Sequence, residues 1–199
     1  MATPMTQTVQ GLDDLIDCLD RAVRGADPER ITHEVKDTLE RMLTSGTLEL
    51  PPALVEPRPD RYARRLLHKS EALGYSVLAM TWAPGQGTPL HDHAGMWCVE
   101  GVLSGDIDVT QYELLEQHGE RYRFRQQGTI AAGVGNAGAL IPPFEYHTIA
   151  NPSPTQKAVT VHVYAGEMTS CTAFVPVSAD SGSEDGWHDR QERQLTYTE

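Results

Sequence analysis

Residues 85–105 read GQGTPLHDHAGMWCVEGVLSG and place two histidines, His91 and His93, between turn-forming glycines and an apolar run. In a β-strand, residues two apart point to the same side of the sheet, so these imidazoles would lie next to each other. Imidazole is a common metal ligand in proteins. Two histidines cannot hold an enzyme's metal alone, so the stretch predicts a β protein in which another segment completes a metal site.

The chain around this stretch has the pattern of a mainly β protein. Short apolar or alternating runs are separated by turns without helical segments, and this spacing indicates a β-sandwich or a β-barrel. The predicted strands cover residues 75–82, 90–93, 97–103, 106–113, 121–125, 138–141, 146–150, 157–164 and 170–175.

Two amphipathic helices are expected before the strands, over residues 8–24 and from Pro28 to about Met42, and the Ser45-Gly46 pair ends the second. From Ser178 onward the chain is polar and acidic, so we expect it to lie on the surface or to be partly disordered. These patterns predict a single domain with three parts. They are a helical segment (residues 1–50) packed on the barrel, the β-barrel itself (residues 51–177) and a polar tail (residues 178–199).

The composition narrows the classes of partner. The chain has 16 lysines and arginines against 28 acidic residues, a net charge of -12, and its basic residues are scattered. We therefore expect neither nucleic acid nor a membrane as a partner. No apolar run reaches the ~20 residues that span a bilayer, and no signal-peptide pattern is present, so a cytoplasmic protein is predicted. Its expected state is a monomer or a small homo-oligomer, and the sequence does not decide between them. The three cysteines, Cys18, Cys98 and Cys171, are too widely spaced for a disulfide framework.

Two spaced motifs resemble those of the cupin superfamily. The first is G-x5-H-x-H-x4-C-x6-G over residues 85–105, in which Cys98 stands where cupins usually have a metal-binding glutamate. The second is P-x4-H-x3-N, within PPFEYHTIAN at residues 142–151. The resemblance implies a mainly β, jelly-roll-type β-barrel, here with N-terminal helices. It also implies three metal ligands: His91, His93 and His147.

Three features resemble the thiol dioxygenases, the cysteine dioxygenase-like branch of the cupins. They are the cysteine at position 98, the Thr-x-His-x-Tyr pattern of TVHVY at residues 160–164, and the Tyr-x-Arg-x-Leu pattern of YARRLL at residues 62–67. The resemblance implies an Fe(2+) centre, with Tyr164 as an outer-sphere phenol that His162 orients and Thr160 supports. Strand alternation independently puts these three residues on one face.

Several assignments stay open from the sequence alone. Motif order favours Arg64 as the partner of a substrate carboxylate, whereas counting back from the His-x-His pair favours Arg65; a guanidinium suits the task at either position. Cys98 is either half of a thioether with Tyr164 or an inert buried thiol, and Tyr164 either acts in the site or only packs in the core. Glu100 is a candidate fourth ligand. The remaining histidines are interpreted as solvated surface residues: His33, His68, His118 and His188.

The resemblance implies an oxidoreductase that uses a small thiol and O2. The expected substrate is a mercapto-carboxylate such as cysteine, 3-mercaptopropionate or mercaptosuccinate, and the expected product is its sulfinate. The tryptophan at position 97 is similar to that of the mercaptopropionate-type bacterial enzymes. Those enzymes generally use an arginine beyond the tyrosine, whereas residues 165–174, AGEMTSCTAF, contain no arginine. The alternatives are another metallocupin enzyme, such as a non-thiol dioxygenase or an isomerase, and a non-catalytic small-molecule-binding cupin.

Overall fold

The fold was analysed in a computed structural model that describes residues 8–177 and 185–198. Within these ranges the chain is mainly β, as predicted, with two α-helices and one 3-10 helix before the strands. The helices are α1 (Leu12–Ala22), α2 (Pro28–Ser45) and the 3-10 helix (Pro52–Val55). The strands are β1 (Ala63–Ser70), β2 (Tyr75–Trp82), β3 (Leu90–His91), β4 (Cys98–Ser104), β5 (Ile107–His118), β6 (Arg121–Ala132), β7 (Ala137–Leu140), β8 (His147–Ala150), β9 (Ala158–Tyr164), β10 (Ser170–Pro176) and β11 (Asp185–Gln194).

The strands form two sheets, one of which closes on itself. Five strands make an open sheet in the order β1-β2-β9-β4-β7, and six strands close into a barrel in the order β10-β11-β6-β5-β8-β3. The predicted barrel architecture with N-terminal helices is therefore confirmed. No helix within the described residues is both long and apolar enough to cross a membrane.

Capping residues mark both ends of helix α2. Helix α2 starts at Pro28, and the side chain of Asp27 accepts a hydrogen bond from the N–H of Glu29. It runs to Ser45, one turn beyond the predicted end, and Gly46 terminates it in the left-handed conformation with φ of 69°. Helix α1 is shorter than the predicted 8–24, because residues 8–11 and 23–24 are not helical.

Strand β9, AVTVHVY, lies in the open sheet, with the core under the helices on one side and the barrel strands on the other. All seven residues are buried. Val161 and Val163 pack in one apolar cluster with both helices, whereas Tyr164 belongs to a second cluster. Because side chains alternate along a strand, Thr160, His162 and Tyr164 all point away from the helices and toward the barrel strands. This alternation gives the site its polar wall.

Two strands lie where the sequence pattern predicts none. Strand β1 covers most of the YARRLLHKS segment, and β11 covers residues 185–194 of the predicted tail. Because β11 pairs with β10 and β6, residues 185–194 of the predicted tail form an ordered strand, and most of its residues are exposed at the surface. Its sequence, DGWHDRQERQ, lacks the apolar alternation that marks a strand with one buried face. The strand is held mainly by main-chain hydrogen bonds to its neighbours, and the sequence pattern therefore does not predict it. Residues 178–184 of the predicted tail lie outside the described residues.

The β5–β6 hairpin is longer than its apolar pattern predicts. The predicted strands end at residues 113 and 125, whereas β5 continues to His118 and β6 to Ala132. Most of the added residues are exposed and half of them are polar, and the cross-strand ion pair Arg123–Glu116, at 2.7 Å, connects the added end of β5 to β6. A solvent-exposed ladder of this kind carries no hydrophobic alternation for sequence reasoning to detect.

Candidate metal centre

Three histidine side chains converge between the open sheet and the barrel strands β3 and β8. His91 in β3 pairs with His147 in β8 across the ladder, and His93 lies just after β3. The ring centroids are 5.2 Å apart for His91–His93, 4.6 Å for His91–His147 and 5.0 Å for His93–His147. One nitrogen atom from each ring lies within 4.8 Å of the other two. The three imidazoles can therefore hold one metal ion.

The second histidine of the His-x-His motif reaches this cluster by a turn. The predicted strand over residues 90–93 ends at His91, and Ala94 adopts a left-handed φ of 53°. Oδ1 of Asp92 accepts hydrogen bonds from the N–H groups of Ala94, at 3.1 Å, and Thr172, at 2.8 Å. This Asx-type turn, rather than strand alternation, positions the imidazole of His93.

Hydrogen bonds and burial prepare the imidazoles for a metal. Nδ1 of His91 lies 3.1 Å from the Pro89 carbonyl, and Nδ1 of His147 lies 2.9 Å from the Glu145 carbonyl. Because a carbonyl only accepts, each Nδ1 carries the hydrogen and Nε2 keeps its lone pair. Burial lowers the pKa of His91 to about 3 and the pKa of His93 well below its ordinary value, so both rings are neutral. The donor set therefore fits a divalent ion that accepts imidazole.

A chain of hydrogen bonds runs from Trp82 to Tyr164 beside the histidine cluster. The indole N–H of Trp82 donates to Oγ1 of Thr160 at 2.9 Å, and this oxygen lies 2.7 Å from Nε2 of His162. Nδ1 of His162 lies 3.3 Å from the hydroxyl of Tyr164. Burial lowers the pKa of His162 to about 4 and raises the pKa of Tyr164 well above its ordinary value. Both groups are therefore neutral at pH 7.

Cys98 stands directly opposite Tyr164 in the β4–β9 ladder. Paired residues on neighbouring strands project from the same face, and both side chains are buried. The Sγ atom lies 4.0 Å from Nδ1 of His162. Burial, followed by the charge of Glu100, raises the pKa of the Cys98 thiol well above its ordinary value. The structure thus brings together the two residues of the expected thioether, and the bond itself stays a prediction.

Glu100 is a buried carboxylate at the edge of the histidine cluster. Its Oε2 atom lies 3.4 Å from Nδ1 of His162 and 3.7 Å from Nε2 of His147, and has no hydrogen-bond partner within the described residues. Burial raises the pKa of Glu100, but the imidazoles of His147 and His162 outweigh it, so the net shift is downward. Glu100 groups by distance with Cys98 and His162 rather than with the three histidines. Whether it is a fourth ligand stays a prediction.

The two candidate arginines point to opposite sides of β1. Arg65 donates to the carbonyls of Glu56, at 2.8 Å, and Leu54, at 3.3 Å, and so fastens the 3-10 helix. Arg64 lines the same cavity as the three histidines, and its Nη2 donates to the carbonyl of Met168 at 3.1 Å. Its buried Nη1 has no hydrogen-bond partner in the part of the chain that the structure describes. The geometry therefore favours Arg64 as the group that meets a ligand.

One wall of this cavity comes from residues that the sequence patterns do not mark. Leu195, just after β11, lines the cavity, and the Tyr197 ring lies 5.6 Å from the Arg64 guanidinium carbon. The Tyr197 hydroxyl donates to Glu167 at 3.0 Å, and the N–H of Thr198 donates to the Arg64 carbonyl at 2.6 Å. The predicted tail therefore also closes the site. An apolar leucine and tyrosine in the otherwise polar QLTYTE were the only signal.

The closed barrel, the three converging imidazoles and the buried Thr-His-Tyr chain fit a candidate metal site of the cupin class. The sequence profile of the family described as cysteine dioxygenase type I matches residues 54–176. This match covers more than half of the chain. The chain therefore belongs to the cysteine dioxygenase type I family.

The curated relatives are distant. The chain is 23% identical to cysteine dioxygenase type 1 of Rattus norvegicus over 114 residues, which are 57% of this chain and 56% of that protein. The human protein is 25% identical over 122 residues, with the same coverage of 57% and 56%. The chain thus spans about half the length of the curated relatives that it matches.

Solved structures with a similar chain path include TT1209 from Thermus thermophilus and an oxalate oxidase. TT1209 has a TM-score of 0.45 and 21% identity, over 57% of this chain and 91% of its own. The oxalate oxidase has a TM-score of 0.46 and 20% identity, over 67% of each chain.

Proposed function

We propose that this protein is an iron-dependent thiol dioxygenase that oxidises a small mercapto-carboxylate to its sulfinate with O2. The proposal depends on one observation: three clustered imidazoles, a buried arginine and a buried tyrosine line one cavity. These residues are His91, His93, His147, Arg64 and Tyr164. Membership in the cysteine dioxygenase type I family supports this interpretation.

His91 and His147 would hold divalent iron through their Nε2 atoms, and a ring nitrogen of His93 would be the third ligand. Iron bound there would supply open coordination positions and the redox chemistry that carries both atoms of O2 to sulfur. Position 98 supports a thiol substrate, because a cysteine there takes the place of the usual cupin glutamate and leaves three imidazoles as the expected donor set. A neutral donor set retains the full charge of the ion for an anionic thiolate.

Arg64 is the proposed partner of the substrate carboxylate. Its Nη1 atom is buried without a hydrogen-bond partner in the described chain, and a carboxylate in the cavity would satisfy it. Tyr197 packs against the guanidinium and limits its movement. Arg65 already donates to two main-chain carbonyls near the 3-10 helix, which supports Arg64 rather than Arg65.

Tyr164 is the proposed hydrogen-bond donor to the substrate. Because Trp82 donates to Thr160, the Thr160 hydroxyl hydrogen is free to point at Nε2 of His162, and Nδ1 then carries the imidazole hydrogen. Nδ1–H can donate to the Tyr164 oxygen, which leaves the phenolic hydrogen for the substrate. Burial raises the pKa of Tyr164, so the phenol keeps this hydrogen at pH 7. His162 and Thr160 act by positioning Tyr164.

The proposal is tested by oxygen uptake of the iron-loaded protein with cysteine, 3-mercaptopropionate, mercaptosuccinate and cysteamine in parallel, with mass spectrometry of the products. We expect uptake with at least one mercapto-carboxylate and a sulfinate product. Cysteamine, which lacks a carboxylate for Arg64, should be a poor substrate. Absence of thiol-dependent uptake by protein shown to contain iron would reject the proposal.

One observation favours a second candidate, a metallocupin that acts on a substrate without a thiol. Glu100 places a buried carboxylate 3.7 Å from Nε2 of His147, and a carboxylate is the usual fourth ligand of cupin metal sites. This candidate predicts turnover without a thiol and tolerance of manganese or zinc. Activity that follows iron content and requires a thiol would exclude it.

A further inference from the structure

A second cavity lies beside the candidate metal centre, between β4 and β7 on one side and the β5–β6 hairpin on the other. Its volume is about 150 Å³. Most of its lining is apolar and includes Val102, Ile107, Val109, Ile130 and Leu140. Ile130 is 55% exposed, so the cavity reaches the surface beside it. Apolar cavities of about this volume bind small apolar molecules such as xenon. Here the apolar residues offer such contacts beside four polar residues of the lining: Glu100, Gln111, Asn136 and Thr160.

This apolar cavity and the metal cavity share a wall. Glu100, Ile149 and Thr160 line both of them. Each of these residues is buried, with an exposure of at most 7%. Because the Glu100 carboxylate lies 3.7 Å from Nε2 of His147, the wall ends at a proposed metal ligand. One layer of side chains therefore separates the apolar cavity from the metal centre.

The space next to Glu100 is open because the residue facing it has no side chain. Gly138 in β7 pairs with Glu100 in β4, so a side chain at position 138 would project from the same face. A Cβ atom placed on Gly138 would meet no described atom within 4 Å. The φ of Gly138 lies outside the left-handed region, so the backbone there does not require glycine. A larger residue at position 138 would fill the cavity without a main-chain clash.

We infer that the apolar cavity is a binding site for dioxygen on its way to the metal centre. The inference rests on the proposed function, which supplies the use of O2. No lysine or arginine lines the described part of this cavity, so a mercapto-carboxylate would find no cationic partner there, whereas Arg64 lines the metal cavity. Dioxygen is small and uncharged and suits an apolar site. The two substrates therefore approach the metal from different sides of the Glu100 wall.

Xenon tests the site directly, because it is apolar and scatters X-rays strongly. Crystals of the iron-loaded protein pressurised with xenon are expected to show xenon bound among Val102, Ile130 and Leu140. In crystals of the Gly138→Leu variant the same position should hold less xenon. A wild-type cavity without xenon under these conditions would overturn the inference.

Steady-state kinetics tests the route. Gly138→Leu is expected to raise the KM for O2 several-fold while the KM for the thiol stays unchanged, and Gly138→Ala should cause a smaller rise. Gln191→Leu is the control. Gln191 is an exposed strand residue of β11 and does not line the cavity, so the variant adds a leucine to a strand away from the site. The KM for O2 of this control should not change.

An unchanged KM for O2 in Gly138→Leu, or a rise confined to the KM for the thiol, would overturn the inference. Melting temperatures verify that each variant folds, and Gly138→Ala carries the kinetic test if the leucine variant does not. A failure of the proposed function can be distinguished from a failure of the dioxygen site. Wild-type protein would then show no thiol-dependent O2 uptake, and the xenon experiment would still decide whether the cavity takes an apolar gas.

Discussion

Strand β9 has two faces that share one backbone but differ in chemistry. On the helix side, Val161 and Val163 pack in an apolar cluster with α1 and α2. On the barrel side, His162 and Tyr164 take part in the hydrogen-bonded chain that begins at Trp82. All four side chains are at most 3% exposed. Burial alone therefore does not distinguish residues that stabilise the fold from residues that serve the site.

The difference between these faces has an energetic basis. Burying a valine side chain contributes about 1.5–3 kcal/mol, whereas burying a polar group costs free energy unless it is hydrogen-bonded. The barrel face thus buries less apolar surface, and its polar groups can be buried because they are hydrogen-bonded. We therefore expect substitutions on the helix face to change stability and substitutions on the barrel face to change chemistry.

The largest expected effect is the loss of a proposed metal ligand on the barrel side. His147→Ala should lose bound iron and with it detectable thiol-dependent O2 uptake, because two imidazoles do not hold the ion. His33→Ala, at an exposed position on α2, is the control and should keep both. Metal analysis of the purified variants checks this expectation. Full iron content in His147→Ala would contradict the assignment of the ligands.

Removing the phenolic hydroxyl on the barrel face should have the next largest effect. Tyr164→Phe is expected to lower kcat on the order of 100-fold, because one pre-organised hydrogen-bond donor to the substrate is lost. The melting temperature should change little, since the ring still fills its place in the core. Wild-type kcat in this variant would mean that Tyr164 only packs.

The adjacent arginines repeat the two-face contrast on β1. Arg64→Ala should lower kcat/KM by about 10- to 100-fold, the effect of losing a charge-assisted hydrogen bond to the substrate. Arg65→Ala should keep kcat/KM near the wild-type value and instead lower stability, because it loses the bonds to Leu54 and Glu56. The opposite pattern would reassign the carboxylate partner to Arg65.

A substitution on the helix face of β9 tests whether that face contributes to stability rather than to catalysis. Val163→Ala should lower the free energy of unfolding by about 1–3 kcal/mol through lost burial and a residual cavity. The kcat of the folded variant should stay unchanged. Urea unfolding and initial rates measure the two quantities on the same preparation. A large fall in kcat without loss of stability would contradict the division between the faces.

The smallest expected effect concerns Cys98, which stands opposite Tyr164. After turnover, the intact mass of the protein should fall by two hydrogen atoms as the thioether forms, and Cys98→Ser should show no such change. The kcat of Cys98→Ser should fall only several-fold, because the Tyr164 phenol keeps its hydrogen bond to His162. An unchanged mass after prolonged turnover would identify Cys98 as a packing residue.

Sequence patterns predict the residues whose placement follows from local periodicity. The alternation of AVTVHVY places Thr160, His162 and Tyr164 on one face before any tertiary contact is known. The resemblance to known motifs adds the histidines and the mainly β barrel. Of these histidines, His91 and His147 lie on strands, whereas His93 follows β3 in a turn that the pattern does not predict.

Other parts of the site depend on tertiary structure that local patterns do not encode. The choice between Arg64 and Arg65 requires that β1 is a strand and that its register with β2 is known. Tyr197 reaches Arg64 only because the polar strand β11 pairs with its neighbours through main-chain groups. The apolar cavity beside Glu100 arises from the facing position of Gly138, which is distant in sequence.

The central claim is that the barrel face carries out thiol dioxygenation, and isotope labelling tests it most directly. Iron-loaded protein is given its best mercapto-carboxylate under 18O2, and the product is analysed by mass spectrometry. We predict a sulfinate in which both oxygen atoms carry the label. An unlabelled or singly labelled oxidation product, or a disulfide alone, would contradict the claim.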